Sequence, residues 1–137
     1  MDMIIMDGDT VEFSAMAPTT LIPPILKTVI KASGKTTING KKVCVEGDEK
    51  KVEISCPYVM SPFMGGVGTV TIKQLGSDQL TKKTKSGNKR VILKGSILQA
   101  ELTVDVKGKD TNGLEDPIAT YQVQGKLIPA NTKIKAD

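Results

Sequence analysis

With 137 residues the chain suits one domain and a modest core. Hydrophobic residues make up 39%, and the only rings are Phe13, Tyr58, Phe63 and Tyr121, so Val, Ile, Leu and Met must fill that core, which favours a thin β-structure. The net charge is +4 and there is no histidine, which excludes a Ser-His-Asp triad, a Cys-His dyad and any histidine metal site within the chain.

Residues 1–14 read as two short strands around Asp7-Gly8-Asp9. Residues 17–24 hold Pro18, Pro23 and Pro24, which suit neither a regular helix nor a central strand, so they read as a loop crossing the body. A strand is expected near 27–32. Next, two β-prone runs, Thr36–Ile38 and Lys42–Val45, flank Asn39-Gly40, a pair that accepts the positive φ of a tight hairpin turn. Gly47-Asp48 supplies a second sharp turn, and another strand is expected near 51–55. Residues 57–68, with two prolines and three glycines, read as a second irregular loop. Thr69–Lys73 is β-branched and strand-like, and Ser77-Asp78-Gln79-Leu80 suits one helical turn with Ser77 as N-cap.

From Ile97 to Lys107 the alternation is clear: Leu98, Ala100, Leu102, Val104 and Val106 share one face, and Gln99, Glu101, Thr103, Asp105 and Lys107 the other. That pattern predicts a half-buried strand. A polar turn over Gly108–Asp116 leads to strands near 118–124 and 126–129, and the tail from Thr132 to Asp137 reads as frayed. No tight internal repeat and no linker stand out. Many short strands punctuated by turns describe an all-β domain, and periodicity alone equally allows a small barrel.

The charge is unevenly spread. The first 26 residues are purely acidic, whereas Lys82, Lys83, Lys85, Lys89, Arg90 and Lys94 cluster with no acid between Gln79 and Ala100. This basic stretch reads as a solvated lysine-rich hairpin or, more sharply, as a patch for a polyanion or a membrane surface. Cys44, between Val43 and Val45, suits a small buried hydrophobe; a Cys44–Cys56 disulfide is geometrically possible but the spacing does not decide it. Two cysteines without histidine argue poorly for zinc, and Asp7-Gly8-Asp9 lacks the further ligands of a calcium loop. No apolar run approaches the roughly 18 residues needed to span a bilayer, and no basic segment precedes Ile4-Ile5, so no secretory signal is expected. An alternative function is a basic OB-like nucleic-acid-binding barrel. Such a domain needs rings beside its charge, and none lies between Phe63 and Tyr121, so no nucleic acid is expected.

The order of residues around the predicted hairpin resembles the signature of PAAR and PAAR-like proteins. Ile38, Asn39, Gly40, Lys41, Gly47 and Asp48 fit in place, while Lys42-Val43-Cys44-Val45 stands where the family's Pro-Ala-Ala-Arg is found and keeps only its small or apolar character. Cys56-Pro57-Tyr58, the run Phe63–Ile72, Ser77–Lys85 and Val91–Ser96 further resemble histidine-poor tips of phage-tail-like extracellular particles. The resemblance implies one tip domain over residues 1–137, shaped as a compact cone of short hairpins and long irregular loops about a pseudo-threefold axis. It implies a structural protein rather than an enzyme, one that caps the trimeric β-helical spike (VgrG or phage-hub type, one copy per trimer) of a contractile injection system and sharpens it for membrane puncturing. The spike is then the partner, with transient contact to a target membrane. The family's histidine-based metal site does not carry over, so no cofactor is expected. Synthesis in the bacterial cytoplasm and loading onto the particle would follow. On this reading Asn39, Gly40, Gly47 and Asp48 make turns, Val43, Cys44 and Val45 pack inward, and the apolar N-terminal residues Ile4, Ile5, Val11 and Phe13 are candidates for the spike-binding base.

Overall fold

Among the described residues there are thirteen strands: β1 (Asp2–Met3), β2 (Thr10–Ala15), β3 (Thr20–Leu21), β4 (Ile25–Val29), β5 (Thr37–Ile38), β6 (Lys41–Lys42), β7 (Glu53–Met60), β8 (Phe63–Gln74), β9 (Leu80–Ser86), β10 (Lys89–Ile92), β11 (Leu98–Val106), β12 (Thr120–Ile128) and β13 (Lys135–Ala136). The only helical pieces among the described residues are single 3-10 turns at Asp48–Lys51 and Ser77–Gln79. The structure is a computed structural model and describes residues 2–16, 19–22, 24–38, 40–130 and 135–136.

Seven strands form one antiparallel sheet in the order β3-β7-β8-β11-β12-β2-β4. β3, at one edge, also lies against β2, so the sheet nearly closes into a barrel and the fold is compact, cone-like and all-β. Closure follows from alternation: along β12 every second residue is buried, and along β11 Leu98, Ala100 and Leu102 point inward. Val11, Phe13, Tyr58, Val70, Leu98, Leu102 and Leu127 meet there as one core with almost no exposed surface. Three two-stranded ribbons, β13-β1, β5-β6 and β9-β10, stand outside this sheet.

The barrel is made of three hairpins set side by side: β7-β8, β11-β12 and β2-β4. Each hairpin is preceded in the chain by a short bridged segment (Ile4–Met6, Val43–Val45 and Val91–Leu93), and each such segment by a ribbon strand. The first ribbon is completed only by the C-terminal β13, which pairs Met3 with Lys135 and Asp2 with Ala136. A threefold organisation thus runs through the described residues; residue order alone shows no tight internal repeat, whereas the family resemblance implied a pseudo-threefold axis.

Three further expectations need correction. Residues 57–68 are not an irregular loop but the end of β7, a turn at Ser61-Pro62 and the start of β8. Pro57 lies beside the end of the two-residue edge strand β3, where its carbonyl accepts from the Ile22 amide (3.0 Å), and Gly66 leaves the space that the Tyr58 ring fills. The strands expected at 118–124 and 126–129 are one strand, β12. Gly125 does not break it, because a Cβ at that position would meet Leu98 Cδ1 at 2.5 Å. The helical turn at Ser77–Gln79 is capped by Gly76 rather than Ser77, with Gln79 Oε1 accepting from the Gly76 amide at 2.7 Å. In the tail, Lys135–Ala136 is paired in β13; residues 131–134 and 137 lie outside the described residues.

Candidate functional site

Between the ribbons and the barrel the chain passes three times through one short path, at Met3–Asp9, Lys42–Asp48 and Arg90–Ser96. The pattern is an apolar triplet, a polar residue, glycine, then Asp or Ser: Ile4-Ile5-Met6-Asp7-Gly8-Asp9, Val43-Cys44-Val45-Glu46-Gly47-Asp48 and Val91-Ile92-Leu93-Lys94-Gly95-Ser96. The three segments bond to one another in a closed ring. The Ile5 amide donates to the Ile92 carbonyl, Ile92 to Cys44, and Cys44 to Ile5, each at 2.9 Å. A second ring surrounds it: Asp7 N–H to Lys42 C=O (2.9 Å), Glu46 N–H to Arg90 C=O (2.8 Å) and Lys94 N–H to Met3 C=O (2.9 Å). Antiparallel bridges Met6–Val43, Val45–Val91 and Leu93–Ile4 complete the same rotation.

Because side chains alternate along each strand, the ring separates two apolar layers. The middle residues Ile5, Cys44 and Ile92 have no exposed surface and enter the barrel core. The outer residues Ile4, Met6, Val43, Val45, Val91 and Leu93 form a second, smaller cluster with Ile38 of β5 packed against it. Each segment then turns away at a glycine with positive φ, +84° at Gly8, +106° at Gly47 and +54° at Gly95. In the first two segments a buried carboxylate closes the turn. Asp9 accepts from the Met6 amide and Asp48 from the Val45 amide, both at 2.8 Å. In the third segment the Ser96 hydroxyl donates to Asp78 Oδ2 at 2.7 Å, and the Leu93 amide donates instead to the Gln79 carbonyl at 2.8 Å.

The predicted residues map onto this arrangement as follows. Gly40, at φ +82°, lies in the turn between β5 and β6, and Asn39 lies outside the described residues. Gly47 and Asp48 make the second turn; Asp48 also accepts from the Ser33 amide at 3.0 Å, tying the preceding loop down. Val43, Cys44 and Val45 are buried, Cys44 toward the barrel and its neighbours toward the smaller cluster. Ile5, Val11 and Phe13 are wholly buried and Ile4 is 6% exposed, so in the free chain they are core residues and not a presented base. Apolar character near a chain end suggested a surface, but the fold uses it for the ring and for β2. Lys82, Lys83, Lys85, Lys89, Arg90 and Lys94 are all exposed, and Arg90 pairs with Glu46 at 2.6 Å.

Cys44 and Cys56 are free and buried. Burial first, then the Asp48, Asp9 and Asp7 carboxylates, pushes the Cys44 thiol far above its ordinary range, and burial raises Cys56 as well. Asp7, which the sequence set beside Gly8, accepts from the Ala32 amide at 2.9 Å. Far from the ring, the buried Asp116 accepts from both Tyr58 Oη (3.1 Å) and Tyr121 Oη, whose rings lie 5.4 Å apart. This contact pins the 107–119 connection onto the barrel. Burial first, reinforced by Asp116, raises the pKa of both phenols.

Sequence reasoning missed the first and third ring segments as equivalents of the hairpin strand, although the triplet-x-Gly pattern was there to be found. No curated protein matches the chain. The whole of it, residues 1–137, matches the family described as contractile injection system spike tip protein. That is a structural family, its members being parts of the injection machine that associate with its central spike, and no helix among the described residues is long and apolar enough to cross a membrane. A closed, pseudo-threefold ring suits such a part, and the chain belongs to the contractile injection system spike tip family.

Proposed function

We propose that one copy of this chain caps the end of a trimeric β-helical spike of the VgrG or phage-hub type, docking through the ribbon end of the ring. The observation that carries this reading is the ring of three equivalent backbone segments in one chain. A trimer ends in three identical strand edges, which are an aggregation hazard unless covered. A single chain can meet all three alike only if its own backbone repeats about the same axis. The two ends of the barrel differ in this respect. At the ribbon end β5-β6 and β9-β10 close in tight turns and β13-β1 completes the third ribbon. At the far end the three connections are unequal: Ser61-Pro62, residues 107–119, and residues 16–24, which include β3. The ribbon end therefore matches a threefold partner, and the far end leads.

The work of penetration comes from sheath contraction, so the tip has to be stiff and needs no active site. No observation favours the OB-like nucleic-acid reading. Phe13, Tyr58 and Tyr121 are buried instead of forming a stacking platform beside the lysines. Light-scattering mass on the protein mixed with the trimeric spike of its own particle tests the proposal. The expected result is a complex of one copy per trimer. Separate elution, with this chain monomeric and retained on nucleic acid in a salt-dependent way, would reverse it.

A further inference from the structure

Five of the six residues of the basic cluster stand on the β9-β10 ribbon, Lys94 lying just beyond it, and this ribbon is clamped to the loop leading into β5-β6. Ser86 Oγ donates to Thr36 Oγ1 at 2.8 Å and accepts from the Thr36 amide at 3.1 Å, and the Lys35 side chain lies beside Gly87. Within β9-β10 the pairing slips: Arg90 faces Lys85 but Ile92 faces Leu80, so the strand bulges outward over residues 81–84. The buried Thr81 makes this bulge a built feature. Its hydroxyl accepts from the Val91 amide at 2.9 Å and donates to the Thr84 carbonyl. The bulge places Lys82 and Lys83 side by side in solvent. Arg90 is neutralised by Glu46, whereas Lys35, Lys82, Lys83, Lys85 and Lys89 have no carboxylate within ion-pair distance among the described residues.

We infer that the partner surface meeting these ribbons carries an acidic rim, with carboxylate side chains on the spike end facing Lys35, Lys82, Lys83, Lys85 and Lys89. The inference rests on the capping proposal, which puts the ribbon end against the spike. Docking five unpaired ammonium groups against a neutral or basic surface would desolvate them without compensation, and like charges would oppose association. Facing carboxylates remove that cost and raise the association rate by long-range attraction. The β13-β1 ribbon carries the exposed Lys135 beside Asp2, whose carboxylate is already used by the Gly95 and Met3 amides, so the rim has to be most acidic opposite the other two ribbons. A trimer is symmetric, so each of its three edges must carry the acids, and one set stays unmatched.

Binding of the full chain to its purified spike trimer, measured across a salt series, tests this. Two variants of equal charge loss are compared: Lys82→Gln/Lys83→Gln/Lys85→Gln on the ribbon, and Lys27→Gln/Lys73→Gln/Lys126→Gln on the barrel strands. The ribbon variant is expected to bind about tenfold more weakly at low salt, mostly through a slower on-rate, with the gap closing near about 1 M salt. The barrel variant should bind as the wild type does. If the wild type binds one per trimer but both variants behave alike, the acidic rim is wrong and the cap stands. If the wild type does not bind the spike at all, the capping proposal falls and this inference with it. Binding to phosphatidylglycerol vesicles that needs the ribbon lysines, with spike binding indifferent to them, would reassign the patch to a membrane surface.

Discussion

The three ring glycines offer a sharp test, because one backbone position has three different surroundings. Gly8 and Gly47 adopt φ of +84° and +106°, and a Cβ built on either meets nothing within 4 Å. Alanine there should cost only backbone strain, about 1–2 kcal/mol. Gly95 sits at +54°, close to the ordinary left-handed value, so its strain is at the low end, about 1 kcal/mol. Its Cβ, however, would lie 2.3 Å from Gln79 Cγ, 2.8 Å from Asp78 Oδ1 and 3.0 Å from the Asp78 carbonyl. Gln79 cannot move aside. It has no exposed surface, and its amide group both accepts from Gly76 and donates to the Lys94 carbonyl at 3.1 Å. Overpacking adds about 1–3 kcal/mol, so Gly95→Ala should cost about 2–4 kcal/mol in all. Urea unfolding followed by circular dichroism should rank Gly95→Ala well below Gly8→Ala and Gly47→Ala. The cost should shrink in a Gln79→Ala background, where part of the obstruction is gone. Equal losses at all three positions would refute the claim that Gln79 braces the third turn.

Three more outcomes follow from the cores. Asp116→Ala strands two buried phenol hydroxyls and the Ile118 amide, costing about 3–5 kcal/mol. It should also raise amide exchange across 107–119, whereas Asp116→Asn should be milder because an acceptor remains. Ile92→Ala, at a ring position with no exposed surface, should lower stability by about 2–5 kcal/mol, while Val29→Ala, 51% exposed, should stay within about 0.5 kcal/mol in the same denaturation series. Cys44 links stability to alkaline pH. Its folded pKa is raised, so the thiol's contribution is complete below the ordinary value of 9.0 and declines above it, where the unfolded chain ionises and the folded one does not. A Cys44→Ala variant should therefore show a shallower fall in melting temperature above pH 9.0 than the wild type; identical slopes would contradict the burial argument.

What could be read from the sequence was whatever local chemistry determines. The alternation from Leu98 to Val106 predicted a half-buried strand because period-two patterning reports directly on a barrel wall, and the turn at Gly40 follows from its positive φ. Pro57, Gly66 and Gly125 misled because they were read as breakers. Each instead sits in a strand at a place fixed by a distant neighbour, Ile22, Tyr58 or Leu98. The threefold ring was hidden for a different reason. Its segments start at residues 4, 43 and 91, so the spacing is uneven. What they share is a backbone path and a burial pattern more than residue identity: Ile5, Cys44 and Ile92 occupy one role with two side-chain types. Ile4, Ile5, Val11 and Phe13 were assigned to a surface because nothing local separates an apolar base from an apolar core.

The ring also explains how one chain can be threefold at one end and irregular at the other. Every central amide of the ring is spent inside it: Ile5, Cys44 and Ile92 each donate to the next segment, and Asp7, Glu46 and Lys94 do the same one step out. The ring therefore has no free edge to pair with a partner, and its symmetry is held by backbone bonds that do not depend on side-chain identity. Side chains on the barrel side are then free to differ, as Cys44 does from Ile5 and Ile92, since the barrel absorbs the difference in its own packing. Pairing capacity is left to the ribbons, which are only two strands wide and keep their outer edges. Three ribbons thus stand on one backbone ring, whose middle residues Ile5, Cys44 and Ile92 lead into the barrel core.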